Sequence, residues 1–289
     1  MIIIRIMGGL GNQMFQYAFA KSLQEQGEEV KLDITYYEKI PNIDTMRYYE
    51  LNIFECTIPL ATKKEIRKYC NIYEMVKAKL RHFLPVFNSR IIFETDTLDD
   101  NILVDFKDKY YIGYWQNEKY FKEIQQDILK EFTFAEEMIL EETKEMLEQI
   151  NQAEVSVSVH IRGGDYLNSI NNSIYGNICT EDYYIKAYEY FKNRYEKVSF
   201  FVFSNDMELA KKYFGTINAN MTFVNMNSER KDWEDMFLMT KCTHNIIANS
   251  TFSWWAAWLN SYPYKEVIAP SKWTNNSAYS PVCSSWIKM

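Results

Sequence analysis

The chain is predicted to be an α/β protein built from two doubly wound, Rossmann-like domains. Short apolar runs of strand length alternate with longer segments whose apolar residues recur at helical spacing, the order that gives parallel sheets covered by helices. A length of 289 residues exceeds the usual single core and points to about two domains of roughly 150 residues each. Residues 155–161 put Val155, Val157, Val159 and Ile161 on one face and Ser156, Ser158 and His160 on the other. Small residues on the second face fit a central strand covered on both sides.

Taken in order, residues 2–6 read as a short buried strand, followed by the loop GGLGNQ at 8–13 and an apolar helix from about Met14 to Gln26, which Gly27 ends. Residues 30–32 form the next strand and complete a strand, glycine loop, helix, strand unit of the right-handed parallel kind. These glycines open a dinucleotide-binding reading, since Asp33 lies about twenty residues past them, where a ribose-binding acid belongs. Laying GxGxxG on Gly9 and Gly11 puts Met14 where the third glycine should be, which disfavours NAD or FAD. The loop can still offer the N–H groups of Gly9 and Gly11 to a substrate oxygen, and Asn12 and Gln13 add side-chain amides.

Residues 34–110 carry no readable chemistry beyond a helical stretch near 62–81 that Pro85 closes off. In GYWQNEKYF (113–121), aromatic and amide residues precede a helix that Asn117 can cap, with Tyr120, Phe121, Ile124 and Ile128 at helical spacing. Trp115 and Gln116 are candidates for stacking on and hydrogen-bonding a sugar, core packing being the alternative for the Trp. An acidic amphipathic helix over about 136–150 follows, and the polar NQAE at 151–154 is the natural boundary, giving domains 1–152 and 153–289.

In the second half, Thr180 caps a helix bearing Tyr184, Ala187, Tyr188, Phe191 and Tyr195, and residues 198–203 form a strand ending in Ser204, Asn205 and Asp206. A strand near 222–225, a helix over 232–241, a strand at 245–248 and the helix TFSWWAAWLN after Asn249 and Ser250 continue the alternation, and residues 267–269 close it. In such a sheet the loops leaving the strands' C-terminal ends gather on one edge, so HIRGGD, SND and NST should converge.

The chemistry is expected at that edge. Gly163 and Gly164 turn the chain and leave His160, Arg162 and Asp165 near one spot, where a fixed cation suits a phosphate; the alternative is a surface Arg paired with Asp165. Ser250, Thr251 and Phe252 open a helix whose free N–H groups favour an anion, simple capping being the alternative. Asn205 and Asp206 are placed for a ribose or base, or Asp206 for a helix cap. No Walker loop and no Asp-x-Asp pair occurs, so Arg and backbone donors must meet a leaving diphosphate, which predicts a metal-independent reaction.

Composition narrows the partners. Hydrophobic residues at 47% and charged residues at 25% describe an ordered globular chain, and a net charge of −7 argues against broad attraction to nucleic acid or anionic lipid. Five widely spaced cysteines fit reduced thiols in a cytoplasm. The opening MIIIRIM is too short for a signal peptide or membrane span, so the expected location is cytoplasmic, with peripheral contact at the inner face of the membrane allowed. Twenty-two Tyr and seven Trp keep a non-catalytic sugar-binding protein in view, beside the NAD-dependent oxidoreductase that the first glycine loop would suggest.

Together GGLGNQMFQYAFAKSLQ, GYWQNEKYF, HIRGGDY, FVFSND and IANSTFSWWAAWL resemble the bacterial α-1,2-fucosyltransferases of glycosyltransferase family 11, almost end to end. The resemblance implies a GT-B-like fold whose two domains face a cleft, the second holding the donor. It implies inverting transfer from GDP-β-L-fucose to the 2-hydroxyl of a galactoside, for a surface glycan such as an O-antigen or capsule, with no metal. Carried over by motif, His160 and Arg162 contact the donor, Arg162 at the β-phosphate, and the loop with Asn12 faces it. Asp165 is the motif's acid. The usual HxRRxD departs here to Gly163, a turn position where an Arg is expected to be tolerated.

Overall fold

Two wholly parallel sheets form, as the alternation of segments predicts. The computed structural model describes residues 1–38, 47–81, 89–94, 108–163, 169–215, 217, 220–224, 231–276 and 279–289, with only the backbone at 81 and 169–171. The first half contains β1 (Ile2–Arg5), α1 (Leu10–Glu25), β2 (Val30–Asp33), α2 (Lys63–Tyr69), α3 (Ile72–Arg81), β3 (Ile91–Phe93), β4 (Tyr110–Ile112) and α4 (Gln125–Glu131). The second contains α5 (Glu141–Gln152), β5 (Ser156–Ile161), α6 (Ser169–Tyr175), α7 (Glu181–Arg194), β6 (Ser199–Ser204), α8 (Met207–Phe214), β7 (Met221–Phe223), α9 (Asp232–Lys241), β8 (His244–Ile246), α10 (Thr251–Leu259), β9 (Val267–Ala269) and β10 (Ile287–Lys288).

The first sheet runs β2-β1-β4-β3 and the second β10-β9-β8-β5-β6-β7, both parallel throughout. In the second, the chain winds outward from β5 through β6 to β7 and then returns to the other side of β5 at β8. The order therefore reverses between β5 and β8, whereas in the first sheet β3 takes the edge and β4 lies between it and β1. Such reversal points leave a crevice at the strands' C-terminal ends, because successive connections diverge to opposite sides there. All six residues of β5 are buried, as the Ser-Val alternation implies. The Ser face is filled by polar neighbours: Asn245 Nδ2 donates to Ser158 Oγ at 2.7 Å, and Thr243 N–H to Ser156 Oγ at 3.0 Å.

The two compact units divide between Thr133 and Phe134, nineteen residues before the predicted boundary at 152. The reason is long-range. Buried Glu234, opening α9, accepts from Leu140 N–H at 3.0 Å and from Thr143 Oγ1 at 2.6 Å, so it serves the N-terminus of α5 as well as its own helix. That bond fixes α5 to α9 and takes it into the second unit, leaving the polar NQAE stretch inside that unit.

Three local expectations also shift. The helix α1 starts at Leu10 with Gly9 as its N-cap, so Gly11, Asn12 and Gln13 lie in its first turn instead of in a loop. Residues 62–81 form two helices, the first opened by a Thr62–Glu65 capping box and broken at Cys70 and Asn71. Asn117 does cap, but a single 3-10 turn at Glu118–Tyr120, with α4 beginning only at Gln125.

Candidate active site

At the second sheet's reversal point the predicted convergence of loops is present among the described residues. The alternation along β5 that buries Val157, Val159 and Ile161 against α7 and α8 sends His160 to the opposite face, where its ring lies 5.7 Å from that of Phe252 on α10. The His160 carbonyl accepts from Tyr184 Oη at 2.9 Å, which locks the end of the strand. Burial, with the positive charge of Arg162 beside it, pushes the His160 imidazole down to about 3. It therefore stays neutral, and its buried Nδ1 has no hydrogen-bond partner among the described residues. Arg162, the next residue on that face, is half-buried. Gly164 and Asp165 lie outside the described residues.

Asn205 holds the turn that follows. Its Oδ1 accepts the Gly163 N–H at 3.0 Å and its Nδ2 donates to the Gly163 carbonyl at 3.4 Å, joining the loop after β6 to that after β5. A Cβ on Gly163 would stand 2.6 Å from Asp206 Cβ and 2.9 Å from its Oδ2, so glycine is required by close approach rather than by a left-handed backbone. An Arg at 163 cannot be accommodated without displacing the Asp206 backbone, contrary to the tolerance expected from the turn. Asp206 Oδ1 caps α8 by accepting Leu209 N–H at 3.0 Å, and Ser204 Oγ bonds within its own turn. Ser204, Asn205 and Asp206 thus have protein partners, and Asn205 bonds the turn that follows Arg162.

On the β8 side, Asn249 is buried and tied to the protein: its Nδ2 donates to the Tyr175 and Trp273 carbonyls at 3.0 and 3.2 Å. This bonding makes it a clamp between loops. Ser250 is the N-cap of α10, yet its side chain makes no capping hydrogen bond, so simple capping does not explain it. Thr251 and Phe252 are partly exposed at that terminus, while Ser253–Leu259 are buried and Trp254 Nε1 is anchored on the Pro281 carbonyl at 2.9 Å. An apolar helix buried on all sides holds its N-terminus rigidly, and the N–H groups there favour an anion.

The loops after β1 and β4, neighbouring strands of the first sheet, carry the other candidates. Gly8 is left-handed at φ 82°, and its carbonyl accepts from Gln13 Nε2 at 3.1 Å and Tyr37 Oη at 2.8 Å. Gln13, buried, also binds the backbone of Tyr48 and Glu50, so it is scaffold and not a ligand group. Asn12 is half-buried, and its Oδ1 accepts from Gln116 Nε2 at 2.8 Å, linking the loop after β1 to that after β4. The structure thus brings together two residues that the sequence had suggested for opposite substrates.

Trp115 is a correction. It is fully buried, stacked on Phe19 at 4.5 Å and edge-on to Tyr111 and Tyr120, so no sugar can stack on it. A left-handed backbone at φ 54° turns it inward, and Glu94 holds that turn by accepting Tyr114 N–H at 2.6 Å and Trp115 N–H at 3.0 Å. Arg47 was missed: its guanidinium lies 3.5 Å from where a Cβ on Gly9 would sit, beside the N-terminus of α1. No spacing pattern marks it. The glutamines at 13 and 16 on an otherwise apolar helix were the signal for the bonded loop above them.

Comparison with known proteins agrees with this geometry. The chain is 34% identical over 294 residues to an alpha-1,2-colitosyltransferase of Escherichia coli, covering 100% of this chain and 98% of that one. It is 34% identical over 308 residues to the O-antigen biosynthesis glycosyltransferase WbnK of Escherichia coli, covering 98% and 99%. Human galactoside alpha-(1,2)-fucosyltransferase 1 matches at 32% over 146 residues, 48% of this chain and 40% of that one. Among solved structures, the fucosyltransferase NodZ from Bradyrhizobium superposes with a TM-score of 0.53 over 88% of this chain and 91% of its own, at 15% identity, a likeness of fold alone. The two parallel sheets and this neighbour give the GT-B-like architecture. The profile of Glycosyl transferase family 11 matches residues 1–280, and with full-length relatives at 34% identity the chain belongs to that family and is a glycosyltransferase.

Proposed function

We propose that the chain is an inverting α-1,2-fucosyltransferase moving L-fucose from GDP-β-L-fucose to the 2-hydroxyl of a terminal galactoside during synthesis of a surface glycan. The observation that carries the reading is the pairing of Arg162 after β5 with the open N-terminus of α10 after β8, at the reversal point of one sheet. A guanidinium and a helix N-terminus following neighbouring strands at one reversal point suit a diphosphate. The acceptor hydroxyl attacks the anomeric carbon from the face opposite GDP, the bond from carbon to the phosphate oxygen breaks, and the electron pair leaves on the diphosphate. Arg162 and the α10 N–H groups stabilise that charge as it develops, which lowers the barrier. Neutral His160, behind Arg162 on the same strand face, adds no charge to the donor site.

The attacking hydroxyl's proton passes to a carboxylate, and Asp165 is the motif's candidate. Asn12 is assigned to the donor, which its loop faces in the resemblance, and Gln116, bonded to it, to the acceptor. Gly9 and Gly11 supply backbone alone. The reaction is read as metal-independent because the sequence has no Asp-x-Asp pair to hold a cation on a diphosphate. A lipid-linked glycan is the acceptor class this reading favours.

A second reading keeps the chemistry and changes the sugar. The full-length similarity to a colitosyltransferase supports GDP-colitose, whose sugar is L-fucose without its 3-hydroxyl. Incubation of the protein with each GDP-sugar and a β-galactoside, with GDP release and product NMR as readouts, decides between them. Transfer from neither donor removes both readings.

A further inference from the structure

The helix α3 has an outward face that does not belong to the core. Ile72 is 86% exposed, Tyr73 67%, Val76 50% and Leu80 39%. At about 100° per residue these four fall within one arc of the helix, while Glu74 and Ala78 take the buried side. Lys77 and Lys79 border the arc on its two edges. The Lys77 ammonium sits 4.1 Å over the Tyr73 ring, its stem lying along the apolar surface.

The charge around this face runs against the rest of the chain. Between positions 62 and 81 there are seven Lys or Arg and two acidic residues, in a protein of net charge −7. Both acids are engaged: Glu65 with Lys31 at 2.5 Å, and Glu74 with Lys77 at 3.3 Å and the N–H of Arg90 at 2.8 Å. Lys64, Arg67, Lys68 and Lys79 are exposed. A groove of about 750 Å³ follows the helix, lined by Ile72, Tyr73 and Val76 together with the cations Arg67 and Lys79.

We propose that α3 with its basic surround is a docking surface for an anionic phospholipid bilayer, the helix lying in the headgroup layer. Ten residues are too few to span a bilayer, but an apolar face rimmed by long cations is the pattern of a helix lying in the interface. The aliphatic arc enters the boundary between headgroups and acyl chains, and the lysines and arginines meet lipid phosphates. Charge complementarity favours anionic lipid over a second copy docked face to face, which would set this basic surround against its like. The proposal does not rest on the donor reading.

The test is flotation of the full chain with vesicles of mixed phosphatidylglycerol and phosphatidylcholine, and with phosphatidylcholine alone. The expected result is binding to the anionic vesicles, weakened by high salt, and little binding to the neutral ones. The double variant Ile72→Asp, Val76→Asp should bind at least about tenfold less, with an unchanged melting temperature and unchanged turnover of a soluble acceptor. Lys79→Glu should weaken binding and reduce its salt dependence. Absence of flotation by the parent, or equal flotation by the double variant, overturns the proposal. So does sedimentation showing a parent dimer that the double variant dissociates, since the face would then pair two copies.

Discussion

Asn205 holds Gly163 by both of its backbone groups, accepting the N–H at 3.0 Å and donating to the carbonyl at 3.4 Å. Because Gly163 follows Arg162 directly, this bond pair sets where the guanidinium stands at the end of β5. Asn205→Ala is expected to cut turnover by about tenfold, since a shift of about 1 Å in a positioned charge is costly, with only a small change in melting temperature. Steady-state kinetics beside a thermal melt check this; full activity with lost stability would make the pair purely structural.

Gly163 itself tolerates no side chain as it stands. Gly163→Ala drives a Cβ into Asp206 Cβ and is expected to cost about 1–3 kcal/mol, as overpacking does. Gly163→Arg, which restores the family's usual pair, should be at least as destabilising. Asp206→Gly in the same chain should recover part of the loss despite removing the cap on α8, and chemical denaturation of the three variants measures it.

Trp115→Ala and Asn12→Ala should behave in opposite ways. Truncating the fully buried indole is expected to cost about 3–5 kcal/mol, with activity lost only through the fold. Among the described residues half-buried Asn12 makes one side-chain bond, from Gln116, so its removal should lower turnover and leave the melting temperature nearly unchanged.

His160 gives a pH signature. Its folded pKa of about 3 lies below the ordinary value near 6.5, so between these values the unfolded chain binds a proton that the folded one refuses. Stability is complete above about pH 6.5 and falls as pH drops toward 3, by up to about 1.4 kcal/mol per pH unit from this group. His244, pushed down by burial, contributes in the same direction. Denaturation between pH 4 and 7 should show a shallower slope in His160→Asn than in the parent, and equal slopes would contradict the assignment.

The strands of the second unit were legible because alternation and β-branched content are local signals: β5, β6, β8 and β9 fall within the predicted runs to within a residue or two at each end. The convergence of their loops followed from parallel winding alone. What escaped the sequence was long-range or conformational. Glu234 reaches α5 from 94 positions away, and no local pattern announces that contact. The left-handed turn at Trp115 depends on Glu94, which lay in a stretch with no readable signal. Gly11 sits inside the first turn of α1, where glycine is normally read as loop. The strands β3 and β4 passed unseen although they are no shorter than β8 and β9, because no alternation of strands and helices could be read across residues 34–110 to place them.

The central claim is that Arg162 and the α10 N-terminus stabilise a departing nucleoside diphosphate without a metal, and it is tested by one comparison. Turnover of GDP-fucose with a β-galactoside acceptor is measured in excess chelator for the parent and for Arg162→Ala. The account predicts an α-1,2-linked product from the parent in chelator, and a loss of about a hundredfold in Arg162→Ala, roughly 2.7 kcal/mol of transition-state stabilisation, with the melting temperature retained. Activity that vanishes in chelator and returns with Mg²⁺ or Mn²⁺, or an Arg162→Ala enzyme as fast as the parent, would contradict it.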